Sequence, residues 1–388
     1  MKPYIVFLLL IALQVASCSK SGNDAPAPPS PPPPPPPSST NLVELDANVQ
    51  IFMSQYNIPG LSLAITRNGK LIYTKGYGFA DKDASTPVTD SSLFRLASVS
   101  KCITAITIMQ LVEQGKLTLN DKVFGAGALL GTQYGNQPYG QHITNITVRH
   151  LLQHAAGGWG NTNSDPMFSN ANLNGQELLS WILDNRPLVN TPGTNYEYSN
   201  VGFFILGLIV EKITGKPYET YVREAILQPA GITAMRIAGN LKADKRPNEV
   251  TYYGQSGQNP YINTINRLGA CGGWIASPTD LMRLLVRVDG FTTKPDMLAP
   301  ETIQAMVTPS FANNNYACGW HVNNSNNWWH TGSLPGTSTI MVRADRGFNW
   351  AVLTNTRNTN DNYYTDLDRL VWKSINNSNT PWPEIDLF

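Results

Sequence analysis

Charge is scarce in this chain of 388 residues. Lysine and arginine number 28, aspartate and glutamate 27, and the four types make 14% of the residues, for a formal net charge of +1. No basic run follows Lys2, so the electrostatic footprint of a nucleic-acid binder is missing and no nucleic-acid partner is expected. There are four cysteines and five histidines. No Cys-x-x-Cys pair occurs, which leaves a zinc site without support. His150 and His154 stand at i and i+4, but Leu-Leu-Gln lies between them where a zinc protease needs a glutamate base. His154 is therefore expected to pack or hydrogen-bond in its loop, and neither metal nor cofactor is expected. A Gly-x-Ser-x-Gly elbow is also absent, which argues against an α/β-hydrolase. The apolar run at 5–13 is too short to span a bilayer.

What is present begins with an address. Lys2 and the run at 5–13 fit a signal-peptide core over residues 1–17. The run ends at Val15-Ala16-Ser17-Cys18, which resembles a bacterial lipobox, with small residues for the peptidase and a cysteine to take the lipid. Cys18 is expected to be lipidated, and the lipid to be the only contact with the membrane. The bland alternative is ordinary secretory cleavage with Cys18 incidental. Ser19 after the cysteine, where no Asp stands, favours outer-membrane sorting within the cell envelope. Residues 18–41 form a Pro-rich linker with seven consecutive prolines at 31–37. Proline lacks an amide donor and has a fixed φ, so the stretch should be polyproline II. At about 3.1 Å per residue, 26–37 would hold a folded domain roughly 37 Å from its anchor.

The whole chain is 41% hydrophobic, enough for a folded core within residues 42–388. Residues 42–56 carry Leu42, Leu45, Val49, Phe52 and Met53 at helical spacing. Alternation at Leu61, Leu63 and Ile65, the Asn68-Gly69 turn, and Leu71 and Tyr73 predict a hairpin. Residues 79–88 look like a polar loop. From about 120 to 270 the chain is rich in Gly and Asn, with helices expected at 175–183 and 202–214. Gly215 stops the second of these. A helix is expected at 278–288 and strands at 316–323, 328–331, 337–343 and 350–354. A closing helix is expected at 362–375. The predicted fold is α+β: an antiparallel sheet flanked by the terminal helices, with an inserted, mostly helical lobe over about 120–270 and a cleft between. Cys102 reads as a buried thiol, and a Cys271–Cys318 disulfide is one option in an oxidising compartment.

Three short stretches carry candidate chemistry. In Ser98-Val99-Ser100-Lys101, a loop turns into a helix and puts a hydroxyl and an amine on one face. A serine needs a nearby base to become a nucleophile, and a desolvated lysine can be that base. The same spacing at Ser17 and Lys20 straddles the cleavage point and is a decoy. The second stretch is Tyr198-Ser199-Asn200, before an apolar helix. A lone Tyr-x-Asn means little, since Tyr134 and Asn136 repeat it in a Gly-rich loop. The third is His330-Thr331-Gly332, followed by Ser333, at a strand end.

In this order the set resembles the Ser-x-x-Lys, Ser-Asp-Asn and Lys-Thr-Gly signature of the penicillin-recognising serine hydrolases. The chain is similar to the serine β-lactamase and D,D-peptidase superfamily, on its class C side, over about 42–376. Residues 151–158, 269–274 and 329–336 look like further blocks of that family. It departs from class C β-lactamases in carrying His330 where they have lysine.

The resemblance implies that Ser98 forms an acyl-enzyme, with Lys101 and Tyr198 moving its proton to the leaving group. Asn200 would position Lys101 and bind substrate amide. His330, with Thr331, Gly332 and Ser333, would bind substrate, either in the proton network or on a substrate carboxylate. The backbone amides of Ser98 and Ser333 would form the oxyanion hole. The expected activity is that of an exported serine hydrolase on peptide, amide or ester substrates, peptidoglycan-derived among them, working as a monomer. A true β-lactamase, or a catalytically weak module that binds peptidoglycan stems, are the alternatives.

Overall fold

A computed structural model describes residues 42–162 and 164–388. The expected signal peptide at 1–17, the expected lipidation at Cys18 and the expected linker at 18–41 lie outside the described residues. Among the described residues no helix is long and apolar enough to cross a membrane.

In chain order the elements are α1 (Val43–Gln55), β1 (Gly60–Arg67), β2 (Lys70–Asp81), β3 (Thr86–Pro87), β4 (Phe94–Arg95), α2 (Ser100–Glu113), α3 (Val148–Leu152), α4 (Gly175–Asn185), α5 (Asn200–Thr214) and α6 (Tyr218–Val222). There follow β5 (Arg236–Ile237), α7 (Ile265–Gly272), β6 (Trp274–Ala276), α8 (Pro278–Leu285), α9 (Pro300–Val307), β7 (His321–Val322), β8 (Trp328–Leu334), β9 (Thr337–Ala344), β10 (Phe348–Thr354) and α10 (Tyr363–Asn376). Seven strands form one antiparallel sheet in the order β3-β2-β1-β10-β9-β8-β7. The N- and C-terminal parts of the chain meet at its centre, where Leu63 pairs with Val352.

The sheet separates two apolar cores. On one face α1 and α10 lie with Leu45, Val49, Phe52, Leu367, Leu370 and Val371 buried against Leu63, Trp350 and Val352. Their spacing of three and four residues puts these side chains on one helix stripe. On the other face α2 and α8 begin a larger core that continues into the helical lobe. Nearly every residue of α2 is buried, as expected of a helix covered on all sides. The α+β fold, the sheet with terminal helices on one face and the mostly helical lobe are as the sequence implied.

Three local expectations are corrected. Residues 79–88 are not all loop: β2 runs on to Asp81 and pairs with β3. Its far end is polar because only a two-residue edge strand covers it. Of 316–323 only His321 and Val322 are strand. Tyr316, Ala317, Cys318 and Trp320 are buried from a turn with Gly319 at φ +78°, not from a sheet face. Cys271 and Cys318 do not pair; both are free, buried thiols, as is Cys102. A second, three-stranded sheet, β4-β6-β5, was not foreseen. Its strands have two or three residues each, too short for an alternation to show.

Candidate active site

Short β4 delivers the chain to Ser98. Two threonines of β9 hold that approach, Thr337 Oγ1 donating to the Arg95 carbonyl and Thr339 Oγ1 to the Leu96 carbonyl, both at 2.8 Å. Ala97 then takes φ +48°, a region a residue with a side chain seldom occupies, and Ser98 sits in a single 3₁₀ turn before α2. Lys101 follows in the first turn of α2, fully buried.

Lys101 Nζ lies 3.1 Å from Ser98 Oγ, 2.6 Å from Asn200 Oδ1 and 2.7 Å from the Cys271 carbonyl. A neutral amine has two N–H groups and one lone pair. Asn200 and Cys271 take the two N–H groups, which leaves the lone pair for the Ser98 hydroxyl. Burial pulls Lys101 down to about 8, opposed by Cys271, Asp165 and Cys102. The free amine is therefore accessible near neutral pH. The carbonyl of Cys271 reaches Lys101 because α7 is kinked at Gly269, at φ +32°, and the neighbouring Ala270 carbonyl is taken by Thr104 Oγ1 at 2.6 Å.

The Tyr198-Ser199-Asn200 stretch is the start of α5. Ser199 is its N-cap, accepting from Gly202 N–H at 3.2 Å and donating to the Trp159 carbonyl at 2.8 Å. Asn200 is the first helical residue, its backbone N–H on Asn161 Oδ1 at 3.0 Å. The Tyr198 hydroxyl is buried and faces Ser98, and Lys101 Nζ stands over the Tyr198 ring, 4.9 Å from the centroid. Burial raises the phenol above its ordinary range, and only Ser98 pulls it back down. Tyr198 is thus a neutral phenol beside the nucleophile, not a phenolate.

Of the two roles open to His330, the one on a substrate carboxylate loses support. His330 is fully buried, and burial keeps the ring well below its usual range, with His321 and Lys101 adding to the effect. The uncharged ring has no cation to offer a substrate carboxylate. Its two nitrogens belong to a chain whose direction follows from its ends. Ser199 N–H donates to His154 Nδ1 at 3.0 Å, so His154 carries its proton on Nε2. That N–H faces Tyr316 Oη at 3.0 Å, and the Tyr316 hydroxyl faces His330 Nε2 at 3.1 Å. His330 then gives Nδ1–H to the Thr331 carbonyl at 2.6 Å. The chain ties the start of α5 to β8, which carries Thr331, Gly332 and Ser333.

Gly332 is glycine for a steric reason. A Cβ there would overlap the Leu96 carbonyl and Thr339 Oγ1 and come 3.1 Å from Ser98 N. β8 thus runs directly beside the Ser98 amide. These groups open into a cleft of about 400 Å³, lined by Ser98, Asn161, Asp165, Tyr198, Asn200, His321, His330, Thr331 and Ser333 among others. All the sequence-expected site residues of the folded chain meet here. Asn161, Asp165, Tyr316 and the Cys271 carbonyl were missed. The glycines at 269–273 were a visible signal for the last, and His154 hydrogen-bonds as expected, with partners on α5 and at Tyr316 that the sequence did not name.

A buried lysine bonded to a serine at a strand-to-helix turn, facing a strand edge across a cleft, is the site geometry of the β-lactamase and transpeptidase architecture. Residues 45–371 match the Beta-lactamase family, and the chain belongs to that family of serine hydrolases. It is 26% identical over 326 residues to Protein flp of Staphylococcus aureus (strain MRSA252), covering 80% of this chain and 62% of that protein. The chain therefore spans less than two thirds of that relative. The fold is similar to the octameric penicillin-binding protein homologue from Pyrococcus abyssi, with TM-score 0.70, 23% identity and coverage of 86% of this chain and 78% of that one. It is also similar to D-amino acid amidase from Ochrobactrum anthropi SV3, with TM-score 0.68, 24% identity and coverage of 86% and 99%.

Proposed function

We propose that this protein hydrolyses ester or amide bonds through an acyl-enzyme on Ser98. The observation that carries the reading is the buried Lys101 amine, whose two N–H groups have acceptors and whose lone pair is left for Ser98 Oγ at 3.1 Å. Lys101 takes the Ser98 proton as Oγ forms a bond to the substrate carbonyl carbon. The carbonyl oxygen turns toward the Ser98 and Ser333 amides, the second one residue on from Gly332, whose Cβ position would lie 3.1 Å from Ser98 N. As the bond to the leaving group breaks, the Tyr198 O–H beside Ser98 donates a hydrogen bond to it, and the proton held on Lys101 passes to the leaving group. Water then attacks the acyl carbon by the same route, and Ser98 regains its proton.

The lining of the cleft supports substrates without a carboxylate beside the scissile bond. Among the described residues no arginine or lysine side chain lines it, and Lys101 behind Ser98 is already engaged. Simple esters and amides, including those of D-amino acids, fit this cleft better than β-lactams or peptides with a free terminal carboxylate. The lipobox-like stretch at Cys18 supports a site of action in the cell envelope, with the lipid as membrane anchor. Incubation with a fluorophosphonate probe tests the reading. Covalent labelling of the wild type and none of Ser98→Ala is expected, with p-nitrophenyl esters turned over faster than nitrocefin. Hydrolysis retained by Ser98→Ala would sink the assignment.

A further inference from the structure

Asp165 lies in the cleft wall, 35 positions from Asn200 in the chain, and no family motif points to it. We infer that Asp165 is a positioning residue: its carboxylate fixes the orientation of the Asn200 carboxamide, and so keeps the Lys101 amine aimed at Ser98. The inference rests on Ser98 being the nucleophile.

The amide of Asn200 has two ends of the same shape, one accepting and one donating. Asn200 Nδ2 is 2.5 Å from Asp165 Oδ2, and Asn200 Oδ1 is 2.6 Å from Lys101 Nζ. A carboxylate only accepts, so the amino end must face Asp165 and the oxygen is left for Lys101. With the amide turned round, oxygen would meet oxygen at Asp165, and NH₂ would meet Lys101. A donor there would occupy the very lone pair that Ser98 needs. Asp165 is itself held, since its Oδ1 accepts Met167 N–H at 2.9 Å and caps the turn Pro166–Phe168. A chain of four side chains results: Asp165, Asn200, Lys101, Ser98.

Charge points the same way. The groups facing Lys101 are the rings of Tyr198 and Phe203, the neutral rings of His154 and His330, the thiols of Cys102 and Cys271, and Asp165. Burial raises Cys271 to about 12 and Cys102 well above its ordinary value, so both thiols are neutral at working pH. Asp165 is the one carboxylate among them. Burial raises it too, against the N–H donors of Met167 and Asn200 and the charge of Lys101. Removing it takes away the charge that favours the ammonium form of Lys101.

The test is the rate of Ser98 labelling by a fluorophosphonate between pH 6 and 10, in which Oγ displaces fluoride and the proton passes to Lys101. Asp165→Asn and Asp165→Ser both keep an oxygen for the Met167 cap, and neither offers Asn200 a carboxylate. In either variant the plateau rate should fall by at least about tenfold, a part of what a general base supplies. The limb on which the rate rises with pH should also move to lower pH. A purely structural role would lower the melting temperature without moving that limb. Wild-type rate and limb in the folded variants would overturn the inference and leave Ser98 as nucleophile. So would a loss confined to KM for ammonium-bearing esters, which would make Asp165 a recognition group. A wild type that takes no label would remove the reading of Ser98 itself.

Discussion

At the scale of single residues, the site turns on how burial divides the titratable groups. Lys101 is brought down to about 8 by burial, while Tyr198 is pushed up and His330 is held neutral. One group can therefore act as a base near neutral pH, one can act as an acid, and one does neither. Such a separation of proton affinities is what assigns acid and base roles in an enzyme. It predicts a simple pH profile. Lys101 must be uncharged to accept the Ser98 proton, so the acylation rate should climb with pH and level off above about 8. On the acid side it should drop about tenfold per unit. A stopped-flow or burst measurement with a p-nitrophenyl ester would read this. A limb centred near pH 6 would point to a histidine base and contradict the role of Lys101.

At the scale of elements, the site is a junction of pieces that are far apart in the chain. The Ser98 turn is stapled to β9 by Thr337 and Thr339, α5 is capped by Ser199, and α7 is kinked to turn a carbonyl toward Lys101. The chain from Ser199 through His154 and Tyr316 to His330 links α5 to β8, with every donor and acceptor matched. Its middle member is the sensitive point. Tyr316→Phe would leave the His154 Nε2–H without an acceptor and His330 Nε2 without a donor, both in the interior. Unsatisfied buried groups cost about 1–3 kcal/mol each, so the variant should lose at least about 2 kcal/mol in urea unfolding. The ester-hydrolysis rate should fall with it, because β8 is then no longer tied to the nucleophile's neighbours. Unchanged stability would mean that the two rings find partners elsewhere.

At the scale of the whole molecule, the interior carries an unusual load of neutral imidazole. Burial depresses His154 and His330 well below their ordinary range and His321 to about 4. Above about pH 6.5 neither the folded nor the unfolded chain protonates these rings. Below it the unfolded chain takes up protons that the folded chain refuses, so stability should fall by about 1.4 kcal/mol per pH unit for each ring. Asp296, raised to about 6 mainly by burial, works in the other direction between its folded and unfolded values and offsets part of one ring. Urea titrations at pH 7 and pH 5.5 should show a clear loss at the lower pH. A flat response would contradict the burial of the histidines.

Much of this protein could be read from its sequence. The amphipathic stripes of α1 and α10, the hairpin at Asn68-Gly69 and the helix after Ser98 follow from local periodicity and turn chemistry, which need no tertiary knowledge. So did the order of the three motifs that led to Ser98, Lys101, Tyr198 and Asn200. The short second sheet and the turn that buries Tyr316 were not legible, because two or three residues carry no period. Asp165, Tyr316 and the partners of His154 were missed for another reason: each takes its role from neighbours distant in the chain. The same limit left two roles open for His330, of which burial disfavours the one on a substrate carboxylate. The sequence by itself determined which groups could do chemistry. Only the tertiary structure decided which of them hold a proton, since that depends on burial and on the partner opposite, and neither is a property of local sequence.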